Sequence, residues 1–336
     1  MQRKSCTLRS SQHHDSLSAV SRSSRIPHFV RRSPESASPI NVAETANASL
    51  DMTAAAVDAA PFPAERRSCG RRLPLLLFCL FLSASAQGVF AAERLAMPEA
   101  VEAEAKVVRS ERDGFWEKSL VVTFPGKRRV LSTGDGFVDA RAIINHSADP
   151  LLWARVGKEF MNADGCGGKV YLEHVRAGLA NALGVGRGEM ATMATAADMD
   201  NLAVVTREFG PLTVIVLATA GAKTNAIRTG VDEGTYIEGE TPQGTINIMV
   251  LTNARLTDAA MARAIVTVTE GKTAALQDLQ VPSTYSPSMQ ATGTGTDSVI
   301  VVSGTTGPQA SYTGGHSRIG ELIGKATYAA VVESLG

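Results

Sequence analysis

Three stretches of this chain, PLTVIVLATAG (211–221), GTINIMVLTN (244–253) and SVIVV (298–302), are apolar at nearly every position. A strand with one face in water alternates apolar and polar residues, but a strand covered on both faces does not. Such runs of β-branched residues therefore belong inside a sheet with something packed on each side. The covering layers are also legible. KVYLEHVRAGLANALG places Leu172, Val175, Leu179 and Leu183 on one helical face and stops at Gly184, as a C-cap would. From Thr257-Asp258 a longer helix carries Met261, Ile265, Val268, Leu276 and Leu279 as a stripe. A last helix begins near Ser317, an N-cap candidate, with Ile319, Leu322, Ile323, Ala326, Ala330 and Val331 on its apolar face. Strands and amphipathic helices alternating irregularly predict an α/β fold: a single layered domain with a mixed β-sheet packed with amphipathic helices.

The N-terminal quarter has a different character. Residues 1–51 are rich in Ser, Arg and Ala without apolar periodicity and are expected to be a disordered or untranslated leader, with Met52 an alternative start. Residues 52–91 combine Arg66, Arg67, Arg71 and Arg72 with the apolar run LPLLLFCLFLSASA and small residues ending at Ala86 or Ala91. That is the pattern of a secretory signal peptide, with an apolar run too short to span a bilayer. A periplasmic or otherwise exported protein is the expectation, without a stable membrane span after cleavage. Residues 92–336 are then the mature domain. Of the four cysteines, Cys6, Cys69 and Cys79 precede residue 92, so Cys166 alone remains and no internal disulfide or cysteine metal cluster is expected. The leader holds 11 of the 33 basic and 6 of the 33 acidic residues, leaving 22 and 27 beyond it. A mildly acidic body speaks against a nucleic-acid partner.

Along the body, KSLVVTF, Pro125-Gly126 and KRRVLST read as a β-hairpin. Gly134, Asp135 and Gly136 read as a tight turn. NADGCGG separates two helical patterns between 150 and 183, and EMATMAT and LAVVTREF read as strands. Asn247 is a carboxamide in an otherwise apolar strand, and is either a structural tie or a site residue. Gly271, mid-helix, costs about 1 kcal/mol against Ala and points to a close backbone approach.

There is no G-x-x-x-x-G-K-[ST] loop, no G-x-S-x-G elbow and no HExxH pair. A zinc site would need His146, His174 and His316 to meet, so no metal is expected. What remains for acid–base or nucleophilic chemistry is Asp297, His316, Glu270, Ser317 and Thr292, Thr294 and Thr296. Glu270 reads by default as a solvated helix carboxylate, and His174 as a surface or structural histidine. His316, between Gly315 and Ser317 at a loop-to-helix junction, has the best claim as general acid or base, and Asp297 is the carboxylate to orient it. Two Gly-rich loops, one ending in Asp297 and one delivering His316, flank the strand SVIVV and are expected to converge on one site.

The stretches ATAGAKTNAIRTG, GTINIMVLTN, TVTEGKTAALQDL, ATGTGTD and YTGGHSRIGELIGKATYAAVVES together resemble the adenosylcobinamide amidohydrolases of corrinoid salvage. The resemblance runs from about Glu111 to the C-terminus. It implies cleavage of the amide between the aminopropanol arm and the corrin ring, giving adenosylcobyric acid, with no cofactor because the cobalt belongs to the substrate. The partner it implies is a corrinoid small molecule. The family is usually cytoplasmic, so a secretory leader is a departure from it. A corrin is rimmed by amides, and neutral donors and acceptors suit it. Asn225, Asn247, Thr292, Gly293, Thr294, Gly295, Thr296, Gly314 and Gly315 are the expected substrate contacts. Two mechanisms stay open: water attack with His316 and Asp297 as the acid–base pair, or a threonine or Ser317 nucleophile activated by His316. The rival reading from another class is an exported corrinoid-binding protein without catalysis.

Overall fold

The computed structural model describes residues 90–160, 167–234 and 245–336, which fall within one compact unit. Nine strands form one mixed sheet: β1 (Phe90–Leu95), β2 (Glu104–Arg112), β3 (Phe115–Ser132), β4 (Gly136–Ala148), β5 (Met190–Thr195), β6 (Ala203–Phe209), β7 (Leu212–Ala220), β8 (Ile246–Thr252) and β9 (Ser298–Val302). Four helices cover it: α1 (Pro150–Phe160), α2 (Gly167–Leu183), α3 (Asp258–Asp278) and α4 (Arg318–Leu335). The α/β layered fold read from the sequence is the fold observed. The leader and the apolar run of the expected signal peptide lie outside the described residues, as does Cys166. The last two residues of that segment, Phe90 and Ala91, begin β1. No described helix is long and apolar enough to cross a membrane.

The expected hairpin at Pro125-Gly126 does not form. KSLVVTF and KRRVLST are one 18-residue strand, β3, whose register against β4 shifts between Thr123 and Arg128. The physical reason is a change of partner. Before the shift β3 pairs with β2, up to Thr123, and after it Val130–Ser132 pair with β9. The bulge at Pro125, which has no N–H to donate, bends one strand where a turn would have started a second. The reversal comes instead at Gly134–Gly136, where Gly136 takes φ 73°.

Because β3 and β4 bend, the sheet curls and acquires two halves, β1–β5 and β6–β9. Their inner faces share a core that includes Leu120, Val122, Ile143, Met193, Ile215, Leu217, Met249, Leu251 and Ile300. The outer face of β7, β8 and β9 is covered by α3 and α4 through Val216, Ile248, Val250, Met261, Val268, Leu276, Ile323 and Ala326. On the other half α1 and α2 pack over Val121, Ala142, Ile144 and Ala148. This is why β7, β8 and β9 are apolar on both faces. The two long helices touch at Gly271, where a Cβ would sit 2.9 Å from the Gly324 carbonyl oxygen, so the expected close approach is present.

Candidate functional site

The loops at the N-terminal ends of β8 and β9 and the C-terminal end of β7 lie together. Gly293–Thr294 pair antiparallel with Ala226–Ile227, so ATGTGTD and the loop after β7 form one two-stranded unit. A third segment closes the cluster: Thr284 N–H donates to the Ala226 carbonyl at 2.8 Å, and Ser283 Oγ donates to Asp232. Asp232 also accepts from the Arg228 N–H. That backbone bond, then the Ser283 and Ser286 hydroxyls, holds Asp232 below the usual carboxylate range.

Asp297 is the hub of the cluster. Its carboxylate accepts from the Thr294 N–H at 3.1 Å, the Thr294 hydroxyl, the Ile246 N–H at 3.2 Å and the Lys272 ammonium. Lys272 reaches it from the middle of α3 and is only 8% exposed. Two ionised groups this far out of water need each other and further hydrogen bonds, and Asp297 has both. Gly293 lies over the pair: a Cβ there would fall 2.6 Å from Lys272 Nζ and closer still to Asp297 Oδ2. Gly295 is exposed at the tip, and a Cβ on it would rest 3.3 Å from Asn225 Oδ1. Lys272 was not singled out from sequence, although it stands in TVTEGKTAALQDL, one of the stretches carrying the resemblance.

The other expected site residues divide into groups. Thr292 holds the loop, its hydroxyl accepting from the Thr229 N–H at 2.9 Å, and the Thr296 carbonyl accepts from the Thr245 hydroxyl at 2.6 Å. Asn225 is buried within the cluster and accepts from the Tyr285 hydroxyl at 3.4 Å. Asn247 is a tie between the half-sheets. Its amide donates to Asn145 Oδ1 and the Ala194 carbonyl, both at 2.8 Å, and Asn145 donates onward to Thr219 at 2.9 Å. With its donors spent on protein and 1% exposure, Asn247 holds strands together and presents nothing to a ligand.

His316 is elsewhere. Asp297 lies at the start of β9, and His316 follows 14 residues past the strand's other end. The loop carrying Gly314, Gly315 and His316 lies against the first half of α3, where Thr267 Oγ donates to the Thr313 carbonyl at 2.9 Å. Arg318, just beyond, covers the Phe209 ring at the far end of β6. The expected convergence of the two loops, and the His316–Asp297 pair, are therefore not formed. Ser317 is the N-cap of α4: its Oγ accepts from the Gly320 N–H at 3.1 Å and donates to the Gly314 carbonyl at 2.9 Å. Gly314 is pressed against the Tyr312 hydroxyl, and Gly315 has open space. Glu270 is exposed on α3, and His174 is exposed on α2, as their default readings had them. Among the described residues, no group of three or more His, Cys, Asp or Glu side chains is placed to hold a metal ion.

Four of the five stretches that carry the resemblance thus meet at one end of the sheet, around the hydrogen-bonded array of Thr294, Asp297 and Lys272. The family model for adenosylcobinamide amidohydrolase matches residues 101–336, and the chain belongs to that family. A relative from Methanocaldococcus jannaschii, the uncharacterized protein MJ1613, is 42% identical over 243 residues, covering 67% of this chain and 89% of its own. The crystal structure of the PH0078 protein from Pyrococcus horikoshii OT3 aligns over 74% of this chain and 82% of its own, with 12% identity and a TM-score of 0.35. At that level it contributes nothing to the assignment. Family membership implies a corrinoid substrate.

Proposed function

We propose that the chain hydrolyses the amide joining the aminopropanol arm to the corrin ring of (adenosyl)cobinamide, releasing (adenosyl)cobyric acid and aminopropanol. The observation that carries this reading is the convergence of four family stretches on Thr294, Asp297 and Lys272. Two of these stretches, through Ala222, Lys223 and Leu279, also line a cavity of about 570 Å³ with Val281, Pro282, Ser283 and Thr284, a largely apolar wall with one lysine and two hydroxyls. That lining suits a large uncharged ring system with amides at its rim.

In this reading Asp297 Oδ1 takes the Thr294 hydroxyl proton as Oγ attacks the amide carbonyl, and Lys272 balances the carboxylate's charge. Collapse of the tetrahedral intermediate breaks the C–N bond, and the Asp297 carboxyl returns the proton to the leaving amine. Water then hydrolyses the threonyl ester by the same base. Thr294 and Asp297 are among the residues named from sequence; Asp297 takes the proton role expected of His316, and Lys272 is the partner that holds it.

The test is incubation with adenosylcobinamide and with cobinamide, followed by mass spectrometry for the cobyric acid. Thr294→Ala and Asp297→Asn are expected to lose at least about 10²-fold in turnover, and His316→Ala to keep it. Absence of product from both substrates would refute the reading, and binding without product would favour a corrinoid-binding protein. We further propose export through the segment 52–91. Recovery of protein starting at Gln87 leaves β1 whole, whereas a start at Ala92 removes two of its residues. A protein retaining its apolar segment in the cytoplasm would refute export.

A further inference from the structure

The half-sheet that carries none of the ATAG, GTIN, EGK and GTGTD loops has its own buried serine–histidine pair. Ser119 on β3 and His146 on β4 are register partners on the face turned to α2, and Ser119 Oγ lies 2.8 Å from His146 Nδ1. On the other side of the ring, His146 Nε2 lies 2.8 Å from the Tyr171 hydroxyl oxygen of α2. The Tyr171 proton is committed to Glu117 Oε1 at 2.6 Å, and Glu117 accepts from Arg112 Nε at 3.0 Å. These commitments fix the tautomer. Tyr171 donates to Glu117, so it accepts from His146 Nε2–H, which leaves His146 Nδ1 to accept from Ser119 Oγ–H. The result is a directed chain, Ser119 to His146 to Tyr171 to Glu117, every member of it 7% exposed or less.

The chain has a mouth. Ser119, His146, Glu117 and Arg112 line a groove of about 280 Å³ between β1, β2 and β3 and the α2 helix. Its walls include Val108, Val121, Val175 and Leu179, and its titratable groups are Lys106 and His174 besides the Arg112–Glu117 pair. Burial, and to a lesser degree Arg112, lower the His146 pKa to about 3, so its Nδ1 lone pair is available at neutral pH.

We propose that Ser119 is the nucleophile of a second hydrolytic site, taking short-chain acyl esters or amides that carry an anionic end. Ser119 Oγ forms the bond to the acyl carbon and passes its proton to His146 Nδ1. The imidazolium is relieved as Nε2–H moves to Tyr171 and the Tyr171 proton moves to Glu117. The relay reverses to protonate the leaving group as its bond to the acyl carbon breaks. A water molecule, deprotonated through the same chain, then releases the acid. The volume suits a small acyl group, and Lys106 with Arg112 selects the anion.

The experiment labels the purified protein with an alkyl fluorophosphonate and maps the adduct by peptide mass spectrometry. It also compares p-nitrophenyl hemisuccinate with p-nitrophenyl butyrate. The expected result is an adduct on Ser119 and faster turnover of the hemisuccinate. Both are expected to fall by at least about 10²-fold in Tyr171→Phe and His146→Gln, while Thr294→Ala keeps both. Tyr171→Phe is the milder change and keeps the test valid if His146→Gln does not fold. No adduct on Ser119, or an adduct formed equally fast in folded Tyr171→Phe, overturns the proposal. Equal turnover of the two esters overturns the anionic preference. Ser119→Ala is expected to cleave cobinamide normally, and loss of that cleavage at unchanged melting temperature would show one site and overturn a second. The labelling result stands whether or not the corrinoid reading does.

Discussion

Gly293→Ala tests the buried pair without removing either charge. The added Cβ would fall 2.6 Å from Lys272 Nζ and nearer to Asp297 Oδ2, inside the 3.0 Å that real Cβ atoms essentially never breach. The backbone at Gly293 is paired to Ile227 and cannot withdraw. The two side-chain ends must move instead, by about 0.5–1 Å to reach ordinary contact. Both are nearly buried, with side-chain exposures of 10% and 16%, so they part in a poorly solvated place. Overpacking of this kind costs about 1–3 kcal/mol, which lowers Tm by about 4–8 °C at the middle of that range for a domain of this size. If the pair sets the Thr294 hydroxyl, a displacement near 1 Å removes about 10²-fold in turnover. Differential scanning calorimetry and cobyric acid formation measure the two effects. Gly295→Ala is the control, because its Cβ meets Asn225 at 3.3 Å and leaves Asp297 alone. An unchanged Tm in Gly293→Ala, with turnover equal to that of Gly295→Ala, would refute the reasoning.

Three further outcomes follow from the packing. Gly271→Ala gains about 1 kcal/mol of helix propensity but drives a Cβ to 2.9 Å from the Gly324 carbonyl, a backbone atom that cannot yield. The net result is a loss of about 1 kcal/mol, read by urea unfolding. His146 has a folded-state pKa of about 3 against 6.5 unfolded, so between these values the unfolded chain binds the extra proton. Its contribution is complete above pH 6.5 and is lost as pH falls toward 3, by about 1.4 kcal/mol per unit. His146→Gln should therefore be less sensitive to acid over that window in unfolding titrations. Ser317→Ala removes the N-cap of α4 and should cost about 1 kcal/mol with cobinamide cleavage unchanged, a split that a nucleophilic role would not produce.

The sequence showed elements far better than it showed which of them meet. Apolar runs on β7, β8 and β9 announced a covered sheet because their pattern is local, and the stripe on α4 announced its buried face for the same reason. Pro125-Gly126 misled because the dipeptide serves a turn and a bulge equally well. The choice was made by β2 and β9, which contact opposite ends of β3. Asn247 was legible as an oddity, but its partner Asn145 lies 102 residues away and no local pattern connects them.

The pairing of the Gly-rich loops failed for a geometric reason that bears on the mechanism. Loops on either side of a strand are held apart by it, and only a chain reversal brings segments to the same end of a sheet. Asp297 therefore meets the segments leaving β7 and entering β8, and the middle of α3, which runs back across the sheet. Arg318, two residues past His316, meets Phe209 at the opposite end. Proximity in sequence argued for His316 as the partner, yet 25 residues separate Asp297 from Lys272 and 19 separate it from His316. Lys272 wins because helix α3 returns it to the end of the sheet where β9 begins. Lys272→Met should then cut cobinamide cleavage by at least about 10²-fold while His316→Ala keeps it. Loss of cleavage in folded His316→Ala, with Lys272→Met unaffected, would return the chemistry to the histidine.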